Sequence, residues 1–199
     1  MPAMLLTDKF EKHYQDIRSE KFRRMEALGG EVPFFISPYP PERETEVTGE
    51  IQQLIRRLQS DPTADTRVLD LDLYQIVIEL LGAQMELAEF FAYETTVPKT
   101  DFREALEVVL EMQQVLLPEI ERRMLVANER YTVYFVRGVG RVFPYIRAHT
   151  LLNNLQTIAT RAPTVLFYPG TYTGYNLRLF NRDVDDNYYR AFNLDNYKV

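Results

Sequence analysis

Three short apolar runs constrain this chain most: "VPFFI" from Val32, "TVYFV" from Thr132 and "TVLFY" from Thr164. Each is rich in β-branched and aromatic side chains and shows no polar alternation. That is the pattern of a strand buried on both faces. A fourth candidate, "TRVLDLDL", alternates apolar and polar residues and places Asp70 and Asp72 near its end. The stretches between these runs carry helical spacing and are far too long for hairpins, so the strands are predicted to be parallel and joined by crossovers. The expected fold is α/β: an open, mostly parallel sheet of about four to five strands flanked by helices, in one domain spanning residues 1–199. A long-helix excursion, about residues 73–127, is expected between the second and third strands.

The helices follow from periodicity and punctuation. Phe10, Tyr14, Ile17, Phe22 and Met25 recur at helical spacing and predict a helix over 7–28, stopped by Gly29 and Gly30. After the proline-rich "PYPPERE", Pro41 suits the first turn of a helix reaching Gln59. The excursion reads as two long helices, 73–93 and 102–127, with Asp101 as the N-cap of the second. A last helix is predicted over 142–159, with Pro144 in its first turn. The strand "APTVLFYPG" is expected to end at Pro169 and Gly170. The region from Tyr172 onward holds five of the 13 tyrosines and is expected to pack down, since an exposed aromatic tail is a docking element.

The chain has 199 residues, 46% hydrophobic and 26% charged, which is ordinary globular usage. It has no cysteine and two histidines, His13 and His149, so disulfides, thiolate metal sites and His-rich metal sites are excluded. No signal peptide or membrane-length apolar run is evident, and the reading is a cytoplasmic protein without membrane association.

The net charge of −6 hides an asymmetry. Residues 42–129 carry 19 acids and 8 bases, whereas residues 130–182 carry seven arginines and no acid. One reading pairs these arginines with the acidic segment inside the fold. The other makes them an exposed surface for a phosphate, a nucleic acid or an acidic partner.

Ligands of open parallel sheets bind beyond the carboxyl ends of the strands. At the first exit, "SPYPPERE" has neither the glycines nor the lysine of a phosphate-wrapping loop, and its prolines lack N–H donors. An NTPase-like sheet would therefore be a degenerate P-loop fold without a Walker A loop. At the second exit, Asp70 and Asp72 share a face, as Mg²⁺ ligands would, but acids at a strand end also cap helices, and no metal or other cofactor is expected. At the third, Gly138 and Gly140 bracket Val139 between a strand and a helix, with Arg137 and Arg141 beside them and Arg147 one to two turns into the helix. This arrangement suits either a phosphate at a helix N-terminus or a tight turn. Asn153 and Asn154 are poor helix formers and are expected to cap a loop or line a polar surface with Arg147 and Thr150. His149 has no nucleophile at a recognisable spacing, so no catalytic triad can be assembled. The fourth exit, with Gly170, Thr171, Tyr172, Thr173 and Gly174, is expected to join the third in one anion-friendly patch. No nucleophile–base pair stands out, and the case for an enzyme is thin.

The segments "GVGRVFPYIRAHTLLNNLQ", "APTVLFYPGTYTGYNLRLF" and "DDNYYRAFNLDNY" resemble the C-terminal half of the BrxB family, a small component of bacterial BREX bacteriophage-exclusion systems. The likeness covers residues 131–197; upstream the order of motifs agrees but is less distinctive. The resemblance implies a role in antiviral defence beside a methyltransferase, a large ATPase and PglZ, an alkaline-phosphatase-like protein. It implies no catalytic activity. It points to an adaptor or assembly factor engaging PglZ, with other BREX components and a homodimer as further possibilities. Two alternatives remain open. One is a nucleic-acid binder using the arginine window, since the family has also been described as RNA-binding. The other is a degenerate nucleotide-binding protein.

Overall fold

The computed structural model describes residues 5–25, 32–64, 66–127, 132–174, 176–185 and 191–198. The predicted Gly29–Gly30 stop, Arg130 and Tyr131 at the start of the third strand, and residues 186–190 of the tail lie outside them.

The elements run α1 (Leu6–Arg18), α2 (Glu20–Arg23), β1 (Phe34–Tyr39), α3 (Glu44–Ser60), β2 (Arg67–Asp72), α4 (Leu73–Gly82), α5 (Leu87–Glu94), α6 (Lys99–Val109), α7 (Leu117–Val126), β3 (Thr132–Arg137), α8 (Val139–Val142), α9 (Ala148–Ile158), β4 (Thr164–Tyr172), β5 (Leu177–Leu179), β6 (Asp183–Asp185) and β7 (Phe192–Asn193). The sheet order is β2-β3-β4-β1-β7, with all four pairings parallel. β4 then continues into an antiparallel arrangement with β5 and β6. The mostly parallel α/β sheet matches the expectation, with more strands than foreseen.

Both faces of the central strands are buried, as their unbroken apolar runs require. Phe35, Val133, Phe135, Val165 and Phe167 face α1, α2 and α3. Phe34, Ile36, Tyr134, Val136, Leu166 and Tyr168 face the excursion and α9. Each such side chain contributes roughly 1.5–3 kcal/mol by leaving water.

Several helix boundaries differ from the predicted ones. The first helix breaks at Ser19, whose backbone is extended and whose hydroxyl accepts from the Phe22 N–H, starting α2. The excursion is not two long helices. Its first half ends at Gly82 and restarts as α5 after Glu86. Its second half breaks at Leu110 and passes through a π-helical turn, Met112–Leu116, into α7. Pro118, in the first turn of α7, cannot be carried deep inside a helix, because its ring would strike the carbonyl four residues back. Asp101 is not the N-cap of α6; Pro98 holds that position and Asp101 lies in the first turn.

The helix predicted over 142–159 is also divided. α8 stops at Val142, and Phe143, preceding a proline, takes the extended conformation proline favours there. The Phe143–Pro144 peptide is cis, and Pro144 lies in the link before α9, not in a helical first turn. Arg147 is the N-cap residue of α9 and does not sit inside it. Pro169 and Gly170 do not end β4. There the strand exchanges a parallel partner, with Tyr39 opposite Pro169, for an antiparallel one, with Leu179 opposite Gly170.

Candidate functional site

The carboxyl ends of β2 and β3 are joined by a charge knot. Arg137 lies opposite Asp72 in the parallel register, and Asp70 lies two residues earlier on the same face of β2. The Arg137 guanidinium donates Nε and Nη2 to the two oxygens of Asp70, each at 2.8 Å, and Nη1 approaches Asp72 at 2.8 Å. Burial opposes the charged form of Arg137, but the two carboxylates outweigh it and hold the guanidinium above its ordinary range. Asp72 also caps α4, its Oδ1 accepting from the Tyr74 and Gln75 N–H groups. Both acids are thus engaged by protein donors. Among the described residues, no group of three or more His, Asp or Glu is placed to hold a metal ion.

Gly138 follows the knot with φ +81°, and a Cβ there would lie 3.0 Å from Asp72 Oδ1. Its role is a tight turn under the acid cluster. Gly140 is pressed against Pro169 and Phe180, which brings the third and fourth exits together as expected for neighbouring strands. α8 has only four residues.

The remaining candidates diverge. Arg141 stands over the Tyr74 ring, 3.9 Å from its centroid, at the mouth of an apolar pocket of about 150 Å³. Arg147 is exposed and borders a separate depression with Thr150, Glu107 and Glu111. His149 is half-buried in the first turn of α9 and Asn153 is exposed. Asn154 accepts from Gln113 Nε2 and so ties α9 to the π-helical turn of the excursion. Gly170, Thr171 and Tyr172 line a third depression with Pro38, Pro40 and Glu42. The buried Tyr172 hydroxyl lies 2.7 Å from the Ala191 carbonyl and 3.1 Å from that of Gly174, bracing the hairpin against the tail. Gly174 has φ +93° and faces open space. The exit of β1 therefore offers an anion prolines and the Glu42 carboxylate.

Residues 69–194 match the sequence model of a family described as BREX protein BrxB. The chain belongs to the BrxB family. A protein named BREX protein BrxB from Bacillus cereus (strain H3081.97) is 34% identical over 194 residues, covering 95% of this chain and 97% of its own length. One of the same name from Escherichia coli O9:H4 (strain HS) is 29% identical over 178 residues, covering 89% and 86%. No solved structure matches the chain. In this BrxB-family protein the matched segment opens inside β2 and closes just after β7. It contains the Asp70–Asp72–Arg137 knot, the whole excursion and the hairpin.

Two features of this family member escaped the sequence reading. One is a buried cluster on the opposite face. Lys9 Nζ contacts Asp195 and the Pro38 carbonyl, and His13 Nε2 lies 3.1 Å from Asp195 Oδ1. Burial lowers the Lys9 pKa, with Asp195 pulling partly the other way, and burial likewise lowers that of His13. Burial alone would raise Asp195, but the His13 hydrogen bond and the Lys9 charge hold it below the ordinary carboxylate range. The other feature is α5. It buries none of its residues fully, and Phe91 and Tyr93 are 50% and 42% exposed, with Met85 before them at 43%. The apolar run "LAEFFAYE" is visible in the sequence, but its spacing does not carry the break between Gly82 and Leu87 that leaves these side chains exposed.

Among the described residues, no helix is long and apolar enough to cross a membrane.

Proposed function

We propose that this protein is a non-catalytic adaptor of a bacterial BREX anti-phage defence system, binding a PglZ-like partner in the cytoplasm. Membership in the BrxB family supports a BREX component. The observation that carries the adaptor role is the surface of α5. Its exposed aromatic residues on a helical excursion have the character of an unfilled protein contact. The strand exits favour this over a catalytic centre. Arg137 is consumed by Asp70 and Asp72, and the β1 exit presents prolines and an acid to any phosphate.

Purification of the tagged protein from its host, at low and moderate salt, with protein and nucleic acid both measured, tests the proposal. Recovery of a PglZ-like protein that persists at moderate salt is expected. Recovery of nucleic acid alone, lost steeply as salt rises, would replace it with a second reading. That reading rests on exposed Arg147, Arg161, Arg178 and Arg182, which have no ion-pair partner among the described residues.

A further inference from the structure

The excursion packs as an open-topped groove. Its floor is buried and apolar, formed by Val77 and Leu81 of α4, Phe102 and Leu106 of α6, and Val142 and Ile146 around α8. Its mouth is aromatic: Tyr74, Phe91 and Tyr145. The volume, about 150 Å³, is that of a cavity lined by apolar side chains that holds one benzene-sized group. One large apolar side chain, a Phe or a Leu, fits it.

The rim decides which segment can bring that side chain. Residues 73–127 carry ten acids and four bases. Glu79 and Glu119 are taken up by Arg122 and Arg123, and Glu107 by Arg103. Glu86 at the N-cap of α5, and Glu89 and Glu94 within it, have no ion-pair partner among the described residues, and Glu94 lines the groove itself. A chain segment entering here meets apolar walls and a rim on which these three acids outnumber the one cation, Arg141, that stands over Tyr74 at the mouth. A second copy of this protein would set the same acidic excursion against itself.

We propose that the groove between α4, α5 and α6 receives an amphipathic helical segment of a partner protein, anchored by one Phe or Leu and flanked by basic residues. This rests on the adaptor reading and names its contact surface. Docking of an apolar helix face into a groove is an established mode of recognition, and an anchor in a desolvated pocket carries most of such an affinity. The basic flanks raise the association rate through the field of the rim.

The test uses the full chain and a fluorescein-labelled peptide of about 18 residues, five helical turns, with Leu and Phe on one face and Lys on the other. A twin peptide carries Glu for Lys. Anisotropy titrations are expected to show binding of the Lys peptide that weakens with salt, and much weaker binding of the Glu twin. Phe91→Asp is expected to weaken binding about tenfold or more, as loss of an anchor contact does. Phe91 is half exposed, so the variant should melt as the parent does. If it does not, Glu89→Lys combined with Glu94→Lys makes the same test on the rim. Equal affinity for the two peptides, or an unchanged affinity in the variants, overturns the proposal. So does a homodimer that Phe91→Asp splits. Co-purification separates the two readings. If Phe91→Asp still retains the PglZ-like partner, the groove is not the contact and the adaptor reading stands. If the parent retains no BREX protein but binds the Lys peptide and not its twin, the groove stands and the adaptor reading falls.

Discussion

Lys9 Nζ lies 2.8 Å from the carboxylate of Asp195, a residue 186 positions away in the chain, in a site where Lys9 is almost wholly buried. Removing one member of a buried pair leaves the other charge uncompensated. Asp195→Ala is expected to cost about 3 kcal/mol or more, read from urea denaturation.

The same cluster sets a pH dependence. With Nε2–H donated to Asp195, His13 keeps Nδ1 buried without a partner. Protonation would create a buried unpaired donor, so folded His13 resists it, whereas the unfolded chain takes up the proton at about pH 6.5. The unfolded state therefore binds more protons below that pH, and stability falls as the solution is acidified. Asp195, also held below its ordinary range, adds a further loss as pH falls through the carboxylate range. His13→Gln keeps a donor but cannot titrate. It is expected to flatten the decline between about pH 7 and pH 5, measured by urea midpoints.

Arg137 neutralises two carboxylates whose own side chains are partly screened by solvent. Arg137→Met leaves Asp70 and Asp72 facing each other, at an expected cost of about 2 kcal/mol after that screening. Adding Asp70→Asn is expected to recover part of the loss. Denaturation of the single and double variants checks both.

Two glycines predict opposite signs. At Gly170, φ is +152° and a Cβ would meet the Arg178 carbonyl oxygen at 2.0 Å, so Gly170→Ala is expected to disrupt the β4–β5 pairing and lower the melting temperature sharply. Gly49 lies within α3 with nothing near its missing Cβ, and Gly49→Ala is expected to add about 0.5–1 kcal/mol. Thermal melts compare them directly.

The sheet was legible because its central strands are buried on both faces, and an unbroken apolar run states that without reference to the rest of the chain. The helix breaks were not. In "LEVVLEMQQVLLPEI" only Pro118 marks a boundary; the residues around Leu110 are ordinary helix formers, and the turn that follows the break there is tied to α9 through Gln113 and Asn154. The arginine window was legible as a charge asymmetry, yet its meaning depended on register. Arg137 is internal because β2 and β3 pair with Asp72 opposite it, a relation across 65 residues that spacing along the chain does not carry. The Lys9–His13–Asp195 cluster had no local signal, since its members come from the two ends of the described chain. At α5 the side chains were visible and their exposure was not, because exposure follows from the break in the helix between Gly82 and Leu87.

The order of strands has a consequence for synthesis. β1 leaves the ribosome long before its sheet neighbours, β4 and β7. Until residue 172 has emerged, Phe34, Phe35 and Ile36 have no strand on either side, and the segment destined for the middle of the sheet is a pair of open edges. Pairing so distant in sequence is slow to form. The nascent chain therefore passes through an interval in which the strand that ends at the middle of the sheet is also an adhesive one.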